Sequence, residues 1–198
     1  MLSFLALGDS YTIGEQVLLS ESFPYRAAQL LRKEGIGIAA PEIIAKTGWA
    51  TDELAAAIDQ TLFLKSYDLV SLLIGVNNQY RGRTADQYRI EFEALLKQAL
   101  GFAGNDSHKV FVVSIPDWGV TPFAQTRDAK QIAKEIDEYN LACKEITERY
   151  NCTFIDITAA QRADSNNPEM LAADGLHPSG KEYAKWAEKL AAEIKKAI

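Results

Sequence analysis

The feature that most restricts this chain is a set of short, almost uninterrupted apolar runs alternating with longer amphipathic stretches. The runs are Leu2–Leu7, Ile36–Ala45, Leu69–Ile74, Val110–Ile115 and Thr153–Ile157. Continuous hydrophobicity of this kind describes parallel strands covered on both faces, whereas a half-exposed antiparallel sheet would alternate apolar with polar. Helical patterns lie between the runs, at Pro24–Lys33, Thr51–Gln60, Ala85–Leu100, Ala129–Tyr150 and Ser179–Ala197. Their starts carry recognisable signals. Pro24 suits a first helical turn, Thr51-Asp52-Glu53 offers a cap and acids at a positive helix end, and Pro178-Ser179-Gly180 breaks the chain before the last helix. Strand and helix alternating across short connections predict right-handed crossovers and a doubly wound α/β fold on a five-stranded parallel sheet. With 198 residues, the chain is expected to form a single domain, 1–198, long enough to bury roughly 70% of its unfolded surface.

Composition narrows the function by exclusion. A net charge of −6 argues against a nucleic-acid partner, because phosphate binding needs clustered Lys and Arg. Lys185, Lys189, Lys195 and Lys196 are better placed as the solvated face and last turn of a helix. Cys143 and Cys152 make neither a disulfide framework nor a zinc site and read as small buried thiols. The longest apolar runs, such as Leu69–Gly75, are too short to span a bilayer, so no membrane insertion is expected. Leu2–Leu7 lacks a basic flank and reads as a strand, not a signal peptide, which makes a cytoplasmic protein the expectation.

In an open α/β sheet the ligand site lies beyond the carboxyl ends of the strands. The residues standing there are Gly8-Asp9-Ser10, Thr47-Gly48-Trp49, Gly75-Val76-Asn77-Asn78, Pro116-Asp117-Trp118 and, before the last helix, Asp174-Gly175-Leu176-His177-Pro178. Gly8 permits a tight turn, and a helix beginning after it would aim backbone N–H groups near the Ser10 hydroxyl. Alone, Gly-Asp-Ser is also what a turn before a helix cap presents. The chain has only two histidines. His108, among Asn105, Asp106 and Ser107, reads as a solvated loop side chain. His177 lies three residues after Asp174, within reach in a turn. A carboxylate on one ring nitrogen fixes the tautomer and leaves the other nitrogen to take a serine proton; a plain helix-entry turn is the competing reading. Acyl transfer also needs oxyanion donors, which the Asn77 amide and the backbone N–H groups of Gly48 and Ser10 could supply, although Asn and Gly are equally ordinary turn residues.

Taken together, Gly8-Asp9-Ser10-Tyr11, Gly48, Gly75-Val76-Asn77-Asn78 and Asp174-Gly175-Leu176-His177-Pro178 resemble the SGNH hydrolase superfamily, also called GDSL esterases and lipases. The resemblance spans nearly the whole chain and needs four separate blocks to coincide. It implies a flavodoxin-like three-layer α/β/α sandwich and a serine ester hydrolase with no metal or organic cofactor. It implies Ser10 as nucleophile, His177 as base, Asp174 as its orienting acid, and Ser10, Gly48 and Asn77 as the oxyanion hole. Asp9 is expected to support the site without reacting. The third block departs from the family pattern: it usually ends Asn-Asp and here ends Asn77-Asn78, a loss of charge that would change the contacts holding that loop and Asn77 or the polarity of the pocket.

Trp49, Tyr80, Trp118 and Phe123 follow the strands and could line a substrate pocket; packing under a long loop would explain them as well. The modest length favours a small-molecule ester with a short acyl or acetyl group, on a carbohydrate for example. Lysophospholipase or thioesterase activity, or an acyl-sugar binder without catalysis, are the alternatives. A metal-dependent phosphodiesterase on a similar sheet would need more His and Asp ligands than two imidazoles allow.

Overall fold

The computed structural model describes residues 1–198. Strands β1 (Phe4–Asp9), β2 (Glu42–Lys46), β3 (Leu69–Leu73), β4 (Val110–Val113) and β5 (Thr153–Ile155) form one parallel sheet in the order β2-β1-β3-β4-β5. The helices are α1 (Ser10–Ile13), α2 (Phe23–Lys33), α3 (Thr51–Asp59), α4 (Val76–Tyr80), α5 (Ala85–Phe102), α6 (Ala129–Arg149), α7 (Thr158–Ala163) and α8 (Gly180–Ala197). Helix α2 packs on α8, while α3 packs on α5 and α5 on α6. The two groups clothe the two sides of the sheet, giving the doubly wound fold that the strand–helix pattern predicts and the three-layer sandwich that the resemblance implies.

The hydrophobic pattern explains the layering. Every residue of β1, β3 and β4 is buried, whereas the edge strand β2 is half-exposed. On α8 the residues Tyr183, Trp186, Ala187, Leu190, Ala191 and Ile194 recur at spacings of three and four and are all buried. On α5 the same spacing buries Tyr88, Phe92, Leu95, Leu96 and Ala99. Each such Leu or Phe stabilises the fold by about 1.5–3 kcal/mol. Helix ends are closed locally. Asp128 accepts the N–H groups of Lys130 and Gln131 at the start of α6, and Thr84 and Gln87 cap α5 reciprocally.

Several boundaries differ from the sequence reading, each for a physical reason. Of Ile36–Ala45 only the end pairs as β2. Pro41 has no N–H to enter a ladder, and upstream of it Ile38 makes a single bridge to Leu2. The first strand runs on through Gly8 and Asp9, which sit opposite Ala45 and Lys46. Gly8 is therefore not a turn residue. A Cβ at Gly8 would lie 2.1 Å from Thr12 Oγ1 and 2.4 Å from the Leu73 carbonyl oxygen, so glycine lets α1 fold tightly over the strand end. Thr51 does not cap α3. Ala50 stands at the cap position, its N–H donating to Glu53 Oε2 (2.8 Å), while the Thr51 N–H donates to Asn78 Oδ1 (3.1 Å).

The chain runs from β1 outward to β2, then crosses to place β3 on the other side of β1. That reversal opens a crevice beyond the carboxyl ends of these three strands. Ser10, Gly48 and Asn77 all emerge into it.

Candidate active site

Ser10 opens α1, directly after β1. Its hydroxyl is nearly buried, and its Oγ lies 3.1 Å from Nε2 of His177. The other ring nitrogen, Nδ1, lies 2.6 Å from Asp174 Oδ2. Serine and histidine are 167 positions apart in sequence, so only the fold joins them. A hydroxyl, an imidazole and a carboxylate hydrogen-bonded in that order form an arrangement in which the hydroxyl can be made nucleophilic.

The segment carrying the imidazole is tied down by backbone. Asp174 Oδ1 accepts the N–H groups of Leu176 and His177, both at 3.0 Å. The His177 carbonyl accepts from Ala172 N–H (2.8 Å), and Leu171 bridges Pro178. Burial works against the Asp174 charge, but the hydrogen bond from the His177 ring and those two N–H groups hold its carboxyl below the usual carboxylate range. The imidazole packs against Tyr11, with ring centroids 5.6 Å apart, and Tyr11 in turn packs on Trp186.

Gly48 and Asn77 face the same crevice. Gly48 has φ of +84°, a conformation that side chains other than glycine's adopt only with strain. Its carbonyl is turned to accept from Arg81 Nη2 at 2.6 Å, and its N–H makes no hydrogen bond within the chain. The Asn77 amide nitrogen donates to the Trp49 carbonyl at 2.9 Å. An amide has two protons, which leaves the second for a ligand.

Asp9 is fully buried and caps α1, its Oδ1 accepting the Tyr11 N–H at 3.0 Å while Oδ2 has no partner. Burial pushes its carboxyl up to about 7, from an ordinary 3.8. The folded protein thus keeps a proton that the unfolded chain loses above about pH 4, so this group's contribution to stability declines as pH rises from about 4 to 7 and is constant beyond. Asp9→Asn retains the capping oxygen without the charge. In urea titrations the variant should gain on the parent across that window by about 1.4 kcal/mol per pH unit at most. A parent–variant difference that stays flat from pH 4 to 7 would contradict a carboxyl held neutral by burial.

A cleft of about 200 Å³ contains these groups, lined by Ser10, Gly48, Asn77 and His177 and walled by Tyr80, Trp118 and Phe123. Trp118 meets Tyr80 edge-on at 5.3 Å and Phe123 at 6.1 Å. Phe123 and Tyr80 are about half exposed, while Trp118 is buried at their junction. Trp49 does not line the cleft: its ring packs at the border of the core and only its carbonyl serves the site.

The sequence matches the GDSL-like lipase/acylhydrolase family over residues 6–185. The chain belongs to that family. As a GDSL hydrolase it acts on ester bonds. No curated protein matches it. Among solved structures, the GDSL hydrolase is similar to TesA (TM-score 0.78, 16% identity, 99% of each chain covered). It is also similar to a lipase/acylhydrolase from Enterococcus faecalis (TM-score 0.78, 22% identity, 99% of this chain and 96% of that one). A further likeness is to Axe2, an acetylxylan esterase from Geobacillus stearothermophilus (TM-score 0.77, 21% identity, 98% and 94% covered). At such identities the likeness is one of fold.

Sequence reasoning missed several groups around the site of this GDSL hydrolase. Val76 and Leu176 line the cleft and could have been found, since they stand beside Asn77 and His177. The brace behind Trp118 could not. Trp118 Nε1 donates to Gln79 Oε1 (2.7 Å), and Gln79 Nε2 donates to Glu135 Oε2 (2.6 Å), joining three distant segments. Buried Asp117, paired with Arg162 Nε at 2.8 Å, anchors the same loop. No helix is long and apolar enough to cross a membrane, and no three His, Cys, Asp or Glu side chains converge as a ligand set for a metal ion.

Proposed function

We propose that this GDSL hydrolase cleaves carboxylic esters of small molecules through an acyl-enzyme on Ser10. The observation that carries the reading is the run of hydrogen bonds from Ser10 Oγ to His177 to Asp174, 3.1 Å and 2.6 Å, at the floor of a cleft. Ser10 Oγ attacks the carbonyl carbon as His177 Nε2 takes its proton. Negative charge then develops on the carbonyl oxygen, where the spare Asn77 amide proton and the backbone N–H groups of Gly48 and Ser10 stabilise it. His177 returns the proton to the departing alcohol, and water repeats the sequence to free the acid. Asp174 keeps the Nδ1 proton in place throughout and stabilises the imidazolium.

Asn77→Ala is expected to lower kcat by about 10²–10³ with little change in KM, since the lost donor acts mainly on the transition state. Steady-state kinetics on a p-nitrophenyl ester would measure it. A kcat within threefold of the parent would remove Asn77 from the oxyanion hole.

For the substrate we favour short acyl or acetyl groups, on a carbohydrate for example. The cleft is about 200 Å³, below the about 300–1,000 Å³ typical of sites that enclose drug-sized ligands. Its half-exposed Tyr80 and Phe123 present apolar faces to a small ester in the cleft. An acetylxylan esterase among the fold neighbours is compatible with this choice. A series of p-nitrophenyl esters of rising chain length tests it, run beside acetylated xylan, a lysophospholipid and an acyl thioester. Activity should fall beyond short chains. Turnover confined to long chains, the lysolipid or the thioester would overturn the substrate assignment and leave the mechanism standing. Binding of acetylated sugar with no turnover and no labelling of Ser10 by a fluorophosphonate would instead mark a binder.

A further inference from the structure

The loop that carries Gly48, between β2 and α3, is the part on which an oxyanion hole here would depend. Its anchoring differs from what the third sequence block suggests. Asn78 is completely buried, and its side-chain oxygen accepts the Thr51 N–H at 3.1 Å. Because a backbone N–H can only donate, this contact fixes which end of the amide is oxygen. The amide nitrogen then donates twice, to Thr51 Oγ1 at 2.5 Å and to Glu91 Oε2 at 3.1 Å. With its one proton the Thr51 hydroxyl donates to the same Glu91 oxygen. The side-chain donors of this knot thus converge on one carboxylate, contributed by α5. Arg83 Nη1 stands 3.4 Å from that oxygen and also pairs with Asp52 on α3. The other charged groups facing the knot are Glu53 and Arg81, themselves paired at 2.9 Å.

We infer that Glu91 is a positioning residue for the oxyanion hole, supplying through Asn78 and Thr51 the negative charge that holds the Gly48 loop. This rests on the reading of Ser10, Gly48 and Asn77 given above. An aspartate at position 78 would satisfy the Thr51 N–H equally well but would set its second oxygen against Glu91. The two carboxylates would then have to share a proton or part. The acid of this knot sits on α5 and not on α4, and asparagine is the residue that such an arrangement requires.

A charge swap tests the inference. Parent enzyme is first shown to label at Ser10 with a fluorophosphonate and to turn over a p-nitrophenyl ester; failure at that step refutes the function reading, and this inference with it. Asn78→Asp should then lower kcat about tenfold or more at pH 8, with KM little changed. Its ratio to parent should recover as pH falls and the pair takes up a proton. The double variant Asn78→Asp/Glu91→Gln exchanges the two groups, so that the amide introduced on α5 can donate to the carboxylate introduced on α4. It should return kcat to within about threefold of the parent. Labelling rates should follow the same order. Melting temperatures of all variants in a Ser10→Ala background separate positioning from bulk stability. A melting temperature that falls with kcat unchanged, or a double variant no better than Asn78→Asp alone, overturns the inference.

Discussion

Replacing Ser10 by alanine should lower kcat by on the order of 10⁵–10⁶-fold, the largest change expected of any substitution in this protein. The Ser10 hydroxyl is the oxygen that His177 Nε2 reaches within the chain, at 3.1 Å, and no second group stands ready to replace it. The fold should not suffer. Ser10 begins a short helix whose cap is the Asp9 side chain, and alanine is a good helix former. Circular dichroism and melting temperature should therefore match the parent while ester turnover and fluorophosphonate labelling vanish. A Ser10→Ala protein that keeps a tenth of its activity, or that still labels, would place the nucleophile elsewhere.

The second large effect is expected at Asp174. Asp174→Asn should preserve the oxygen that accepts the Leu176 and His177 N–H groups, so the turn persists. The new amide nitrogen, however, would face His177 Nδ1, where the carboxylate oxygen now lies at 2.6 Å. An amide N–H there demands an unprotonated Nδ1, which moves the ring proton to Nε2 and aims it at Ser10. The base becomes a donor. A loss of about 10⁴ in kcat follows from this wrong tautomer, with near-parental substrate affinity and stability. Kinetics and thermal melts on the same preparation would measure both. Parental kcat in the asparagine variant would mean that His177 needs no orienting acid.

Much of this was legible in the sequence, and the reasons are specific. The core strands announced themselves because burial on both faces removes polar residues from them. Ser10, Gly48 and Asn77 could be placed together because parallel strands deliver their next residues to one edge of the sheet, and Asp174 with His177 because a separation of three suits a turn; the roles of all five came from the resemblance of four blocks to a known family. Helices α4 and α7 leave no signal in the sequence, since Val76–Tyr80 and Thr158–Ala163 are too short to show a 3.6-residue period. Thr51 looked like a cap from its neighbours alone; its partners, Asn78 and Glu91, lie 27 and 40 positions away. The pattern at Asn78 read as the loss of a charge, because Glu91 comes from another helix and no local signal ties the two. At Gly8 the sequence pattern points to backbone freedom, whereas the crowding of Thr12 and Leu73 around it is the stronger constraint.

The short helix α4 has a consequence for how such an enzyme can be altered. From that one turn and the residue that ends it, Asn77, Asn78 and Arg81 grip the main chain at Trp49, Thr51 and Gly48. Adding one residue to the Thr47–Ala50 segment would put these grips out of step, so its length is effectively frozen. The stretch Gln125–Asp128, on the far rim and wholly exposed, has no such tether beyond its own turn and the α6 cap, and lengthening a loop there is inexpensive in chain entropy. New substrate range is therefore to be sought by grafting onto that rim, with the segment around Gly48 left at its present length.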